Sequence, residues 1–269
     1  MIFEACVDSV ESALAAVAGG AGRLELCDDL VEGGTTPSAG MIDLCRERVL
    51  VPLFVLIRPR GGDFVYSADE REVMLRDILL CQEARVDGVV VGALRPDGTV
   101  DADAMRPLVE AAHPMEVTFH RAFDSCRDPR VALETLIELG VDRVLTSGQA
   151  PSALEGAAML AQLVEQAAGR IEIMAGGGVN ETNVSQIIEA TGVGEVHASV
   201  VTAVSSVMTW KNERVVLQKA LPADEGARLV TNAARVERIV ERMHVRTQFS
   251  PGHSPAASLR GGAAAATTR

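Results

Sequence analysis

Two short segments near the start of the chain repeat one pair of reactive residue types, a glutamate two positions before a cysteine. The first is FEAC at residues 3–6 and the second is LELC at residues 24–27. Each segment lies in a short apolar run that predicts a strand. Because neighbouring parallel strands lie about 4.8 Å apart, the thiols of Cys6 and Cys27 can approach each other. The repeat therefore predicts two acid-plus-thiol pairs at one end of a sheet.

The thiol pair suggests a soft metal. Thiolates select Cu(I) or Zn(II), but zinc prefers four ligands, and no Cys-x-x-Cys or clustered Cys/His spacing supplies them. A site with two thiolates therefore fits Cu(I) better. Free cysteine is also frequently buried, so packing of two small side chains is the simpler explanation from these residues alone.

Other strand ends carry arginine and histidine. Arg58 and Arg60 follow the apolar run VPLFVLI, and His120 and His197 close two later runs. Arginines suit an anionic ligand, and a glutamate or histidine beside them can transfer protons. Asp124 can orient an imidazole or bind a cation. An Arg–Glu network that only holds the strand ends together is the structural alternative.

Glycine-rich loops add to this set. Gly61 and Gly62 permit close approach of the backbone to a ligand, and GGG at 176–178 precedes a predicted helix, as in many anion sites. A tight strand-to-helix turn explains the second loop equally well. The candidate catalytic residues are Glu4, Glu25, His120 and Asp124; the candidate substrate-binding residues are Arg58, Arg60, Gly61, Gly62, Ser147, Gly177, Gly178, His197 and Ser199; the candidate metal ligands are Cys6 and Cys27.

These residues need a scaffold in which strand ends converge. Eight short apolar runs alternate with amphipathic segments, which predicts parallel strands and a (β/α)8 TIM barrel as an α/β fold. Side chains alternate in and out along each strand, so one set of polar residues is expected to face the interior. It consists of Glu4, Cys6, Glu25, Cys27, Arg58, Arg60, Thr118, His120, His197 and Ser199. An open doubly wound sheet is the alternative, but the first strand lacks the Gly-x-Gly-x-x-Gly turn. The runs lie at 2–7, 23–28, 51–59, 88–94, 115–123, 143–148, 171–178 and 195–200.

The end of the chain differs from the repeated units. Residues 202–214 read as an extended loop, and 223–243 predict a closing helix. We expect one domain over residues 1–245, followed by a disordered low-complexity tail over 246–269.

The composition excludes several classes of partner. The 269-residue chain has a formal net charge of −12 and a pI near 4.9. Nucleic acids and anionic membranes both require clustered basic residues, so neither is expected as a partner. We expect a cytoplasmic protein, because the sequence has neither a long apolar run nor a signal peptide. Five cysteines, an odd number, argue against a disulfide framework there.

Several longer motifs resemble one known family. FEACVDSVESA, RLELCDDLVEGGTTPS, IRPRGGDFVYS, VTFHRAFD, RVLTSG and GGGV occur in this order over about residues 1–243, and together they resemble the CutC family of copper homeostasis proteins. The resemblance implies a cytoplasmic TIM barrel that forms a homodimer or homotetramer. It also implies a Cu(I) site at Cys6 and Cys27, with the copper ion as the partner.

Three functions compete at this point. The first is copper trafficking or tolerance through Cu(I) bound at the barrel mouth. The second is an isomerase, lyase or hydrolase that acts on a small anionic metabolite, phosphorylated or not, with or without a divalent metal. No lysine lies on a predicted strand, which argues against a Schiff-base aldolase. The third is a scaffold role, which an apolar mouth would favour.

Overall fold

Eight parallel strands close into a barrel. The computed structural model describes residues 1–210, 212, 214 and 227–244. The strands pair in chain order, and the last pairs with the first. This closure confirms the TIM barrel and excludes the open sheet. The strands are β1 (Ile2–Val7), β2 (Arg23–Leu26), β3 (Leu53–Leu56), β4 (Gly88–Val91), β5 (Glu116–Phe119), β6 (Arg143–Thr146), β7 (Glu172–Ala175) and β8 (Glu195–Ala198).

Helices cover the outside of the barrel and begin at residues that suit their first turn. Ser9, Ser38 and Asp101 each accept a hydrogen bond from a backbone N–H of that turn. Ser67 and Glu70 form a reciprocal capping box. The helices are α1 (Val10–Ala18), α2 (Ala39–Arg48), α3 (Ala68–Glu83), α4 (Ala102–Ala112), α5 (Pro129–Glu138), α6 (Ala157–Ala167), α7 (Val184–Thr191) and α8 (Ala233–His244).

The segment after the barrel differs from the prediction. Part of the expected loop is a strand, β9 (Val201–Val204), which pairs antiparallel with β10 (Arg228–Thr231). The closing helix begins at Ala233, because the side chain of Asn232 accepts the backbone N–H of Arg235 and starts the helix there. The predicted tail at 246–269 lies outside the described residues.

The barrel interior holds an ion-pair network beside apolar side chains such as Phe54, Leu56 and Val90. Arg23 donates to both Glu4 and Glu195, and Arg143 Nε lies 2.5 Å from Glu195 Oε2. Both guanidinium groups lie over the Phe54 ring, at 5.0 and 5.4 Å from its centroid. Because each buried charge has a partner, the network satisfies groups that would otherwise destabilise the fold. The structural alternative raised from the sequence thus describes this deeper layer, below the strand ends.

None of the described helices is long and apolar enough to span a bilayer.

Candidate functional site

The two thiols lie side by side at the carboxyl ends of β1 and β2. In the strand register Cys6 faces Glu25, and the Cys27 backbone N–H donates to the Val7 carbonyl at 2.8 Å. Cys27 is therefore one interior position further along than Glu25. The two sulfurs are 3.7 Å apart, and both residues are buried. The barrel thus brings together residues 21 positions apart in the chain.

A histidine and two carboxyl groups surround the thiols. His197 pairs with Glu4 in the β1–β8 register, and its Nδ1 lies 2.8 Å from Glu4 Oε1. Its Nε2 lies 3.6 Å from Glu25 Oε2. Glu4, which is fully buried, also pairs with Arg23 in the layer below. Glu4 therefore links the candidate site to the ion-pair network.

The electrostatics give the two thiols different protonation states. A hydrogen bond from Cys27 is the largest influence on the pKa of Cys6. Together with His197, it outweighs the effect of burial and lowers this pKa to about 6. The hydrogen bond to Cys6, together with burial, raises the pKa of Cys27 well above its ordinary value. At neutral pH the pair therefore consists of a Cys6 thiolate and a Cys27 thiol.

The neighbouring groups have shifted pKa values too. Burial, followed by the Cys6 charge, raises the pKa of Glu25 well above its usual range. Burial alone would lower the pKa of His197, but its bonds to Cys6 and Glu4 raise it overall. Burial alone would raise the pKa of Glu4, yet His197 and Arg23 lower it to about 2. These shifts favour a protonated Glu25, an imidazolium at His197 and a carboxylate at Glu4.

A cavity of about 250 Å³ opens above the thiols. Its position at the carboxyl ends of the strands is where TIM barrels place their sites. Six candidates from the sequence line it together, while Gly33, Leu56, Phe64, Arg121 and Leu145 were not predicted. The six are Cys6, Glu25, Cys27, Arg58, His120 and His197.

His120 is held in one tautomer. Its Nδ1 accepts the backbone N–H of Ala122 at 3.2 Å, so the proton of the neutral ring lies on Nε2. Burial, and then the charge of Arg58, lower the pKa of His120 to about 3, which keeps the ring neutral. The ring occupies space left by Gly92, where a β-carbon would lie 2.7 Å from His120 Cε1. His120 Nε2 is buried and has no hydrogen-bond partner among the described residues.

Arg58 is buried among backbone carbonyls. Its Nη1 donates to the carbonyls of Glu32 and Gly34, and its Nη2 donates to that of Gly62. Within the described part of the chain, no carboxylate forms an ion pair with this guanidinium, and Nε has no partner. The guanidinium also lies 5.3 Å from the Phe64 ring centroid. Arg58 thus shapes the loops after β2 and β3, and among the described residues no carboxylate pairs with it.

Arg121 is a lining residue that was not predicted, and two candidates position it. Asp124 Oδ2 accepts from Arg121 Nε at 2.8 Å, and Ser147 Oγ accepts from Nη2 at 3.1 Å. Asp124 also accepts from Thr146 and from the Ser147 backbone N–H. The expected role of Asp124, orienting an imidazole, is therefore replaced by holding an arginine. The i, i+3 spacing of Arg121 and Asp124 in HRAFD could have indicated this pair.

Some candidates lie away from this cavity. Arg60 Nε donates to Glu70 at 2.5 Å, and other atoms of Arg60 bond to the loop that contains Gly61. Strand β3 ends at Leu56, so the in-and-out alternation used to place Arg60 no longer holds four residues later. Ser199 was expected inside the barrel, but it follows the last residue of β8 and is exposed at a separate surface cavity.

The glycine loop after β7 forms a turn. Gly177 O accepts the Ala153 N–H at 2.8 Å, and Gly178 O accepts from the side chain of Asn180. Helix α7 begins only at Val184, so these glycines are not at its N-terminus. Of the two explanations offered by the sequence, the tight turn describes this loop.

Two overlapping sets of residues have the ligand atoms for a metal. The donor atoms of Cys6, Cys27 and Glu25 lie within 4.8 Å of one another, as do those of Glu4, Glu25 and His197. The second set would suit a harder divalent ion, but Arg23 and the imidazolium already occupy the Glu4 carboxylate. The thiol-containing set is the one with free soft donors.

The sequence of the chain matches a known family. The sequence model that describes the CutC family matches residues 1–202. The chain belongs to the CutC family. Mouse and human proteins named copper homeostasis protein cutC homolog are both 48% identical to it over 238 residues. This alignment covers 88% of the present chain, 88% of the mouse protein and 87% of the human protein. A CutC family protein of Bacteroides thetaiotaomicron is 49% identical over 240 residues, which are 89% of this chain and 96% of that protein.

Solved structures agree with the family and the fold. A crystal structure of a CutC protein from Streptococcus agalactiae has a TM-score of 0.71 and 36% identity, and it covers 73% of this chain and 98% of its own. A phosphoribosylanthranilate isomerase from Thermotoga maritima has a TM-score of 0.53 at 14% identity, and it covers 90% of this chain and 98% of its own. The second likeness concerns the barrel alone.

Proposed function

We propose that this CutC family member binds Cu(I) between Cys6 and Cys27 and serves copper trafficking or tolerance. The observation that carries the proposal is the 3.7 Å separation of two buried sulfurs at the floor of an open cavity. Thiolate bonds to a comparable d10 ion, zinc, are about 2.3 Å long, so two of them span at most about 4.6 Å. Both sulfurs can therefore reach one ion without movement of the backbone.

The donor set favours Cu(I) over other metals. Among the described residues, this site has only two thiols, and burial raises the pKa of the third group within reach, Glu25, which favours its protonated form. Structural zinc sites use four ligands, whereas hard ions such as Mg²⁺ need ionised oxygen ligands. Two soft sulfurs and one carboxyl group whose ionisation is disfavoured satisfy neither of these requirements. They suit a soft monovalent ion of low coordination number.

The charges around the pair favour the bound state. Cys6 is already a thiolate, so only Cys27 must lose a proton when Cu(I) arrives. A Cu(I) ion with two thiolates carries a net charge of −1, and the His197 imidazolium lies next to it. Opposite charges at such short distance stabilise each other most where water is excluded. The names of the mouse and human relatives support the same function.

An anaerobic Cu(I) titration against a competing chelator tests the proposal. We expect one tight site per chain in the wild type and its loss in Cys6→Ser/Cys27→Ser, with the fold intact. The matched control is Cys126→Ser, because the Cys126 thiol contacts the Ala122 carbonyl at 3.7 Å and a hydroxyl can donate there too. Equal Cu(I) affinity in the double variant and the wild type would refute the site.

The resemblance also suggests a cytoplasmic homodimer or homotetramer. Light scattering on the purified full chain measures its mass in solution, and a single-chain mass would refute the oligomer.

A further inference from the structure

The wall of the cavity formed by residues after β3 and β5 has no part in holding copper. It consists of Arg58, Phe64, His120 and Arg121. Phe64 joins them, because its ring centroid lies 5.0 Å from the His120 ring and 5.3 Å from the Arg58 guanidinium carbon. These are donors and an aromatic surface, whereas the thiol wall provides soft acceptors. The two walls therefore suit different ligands.

The buried positive charge of Arg58 is the first observation. A buried guanidinium normally has a carboxylate partner, because an isolated buried charge is costly. Within the described residues Arg58 instead bonds to three backbone carbonyls, and its Nε–H is buried without a partner. An anion in the cavity would supply the missing countercharge.

The unpaired donor of His120 is the second observation. Its Nδ1 is used by Ala122, so the neutral ring presents Nε2–H, and this atom is buried without a partner in the described part of the chain. Buried polar side-chain atoms are satisfied in most proteins, so an orphan donor at a cavity wall indicates a ligand acceptor. Because the ring packs where Gly92 leaves space, it has little freedom to turn elsewhere.

Arg121 provides a third donor, at the rim. Asp124 and Ser147 hold Nε and Nη2, and none of the hydrogen bonds found among the described residues uses Nη1. Because Asp124 balances the charge of Arg121, Arg121 would orient a bound anion without adding net positive charge to the site. Among the described residues that line the cavity, Glu25 is the only carboxylic acid, and it lies on the thiol wall. An anion on the opposite wall would thus avoid it.

We propose that Arg58, His120 and Arg121 form an anion-binding subsite that takes a carboxylate or phosphate group of a small metabolite. The cavity has a volume of about 250 Å³, which is slightly below the usual range of ligand pockets, about 300–1,000 Å³. This size admits a metabolite of a few carbon atoms and excludes a nucleotide. The subsite is independent of copper, because it shares no residue with the thiol pair.

Calorimetric titration of the metal-free full chain with inorganic phosphate and, separately, with malonate tests the subsite. We expect saturable one-to-one binding of at least one probe, and the preferred probe distinguishes a phosphate from a carboxylate ligand. Arg121→Gln should weaken binding about tenfold, the effect of losing one charge-assisted hydrogen bond. His120→Asn should weaken it similarly, because Asn can still accept the Ala122 N–H but does not reach the Nε2 position.

The matched control is Arg127→Gln, since Arg127 is exposed and does not line this cavity. Its binding should equal that of the wild type, and the Cu(I) affinity of all three variants should stay unchanged. Failure of both probes to bind the wild type would overturn the subsite. Equal weakening in Arg127→Gln would overturn it too, because binding would then reflect general surface charge.

Discussion

Replacement of Cys27 by alanine should raise the pKa of Cys6 in the metal-free protein. The hydrogen bond from Cys27 is the largest influence that lowers this pKa from an ordinary value of 9.0 to about 6. At pH 7 a thiol with a pKa of about 6 is roughly 90% ionised, whereas one with a pKa of about 9 is roughly 1% ionised. Burial, which opposes ionisation, remains in the variant, and so does His197. We therefore expect a pKa between about 7 and 9 and a thiolate fraction of at most about half at pH 7.

The assay is the ultraviolet absorbance of the thiolate as a function of pH, measured as the difference between each protein and its Cys6→Ser counterpart. Cys27→Ser is the matched control, because a hydroxyl can still donate to the Cys6 sulfur and should shift its pKa less than alanine does. A wild-type midpoint near pH 9, or an unchanged midpoint in Cys27→Ala, would refute the asymmetric pair.

Stability and proton release depend on the same buried groups. Arg23→Met removes the guanidinium that the buried Glu4 and Glu195 share, and it should lower the free energy of unfolding in urea by about 3–5 kcal/mol. Arg76→Met, at an exposed helix pair, should cost at most about 0.5 kcal/mol. The folded-state pKa of His120 is lowered to about 3, so its contribution to stability is present above about pH 6.5 and is lost as pH falls toward 3. Between pH 6 and 4 this group alone should reduce the unfolding free energy by about 1.4 kcal/mol per pH unit, and His120→Asn should show a shallower slope in denaturation curves. Cu(I) binding at pH 7 should release about one proton, which comes from Cys27. Calorimetry in buffers of different ionisation enthalpy measures this number, and release of two protons would show that both thiols start protonated.

Strand alternation predicted the interior of the barrel well where the chain is extended. Glu4 and Cys6 on β1, like Glu25 on β2, face inward as their spacing requires. The same rule failed beyond the strand ends. Arg60 and Ser199 follow irregular backbone, where position in the sequence no longer fixes the direction of a side chain.

Contacts between residues far apart in the chain could not be predicted from the sequence. Arg121 comes just after β5 in a short 3-10 helix (Arg121–Ser125), and its place at the cavity depends on Asp124 and on Ser147 from the next unit. Strands β9 and β10 pair although they lie more than twenty residues apart in the chain, so no local turn signal marks their pairing. The distance between the two sulfurs likewise depends on the register of β1 and β2. The positions of the cysteines in the sequence predict only that the thiols can approach each other.

X-ray absorption at the copper edge, on the wild type loaded with one equivalent of Cu(I), identifies the atoms that bind the metal. We expect a Cu(I) ion whose first shell contains two sulfur atoms, and loss of that sulfur signal in Cys6→Ser/Cys27→Ser. A first shell of nitrogen and oxygen atoms, or a sulfur shell that persists in the double variant, would contradict it.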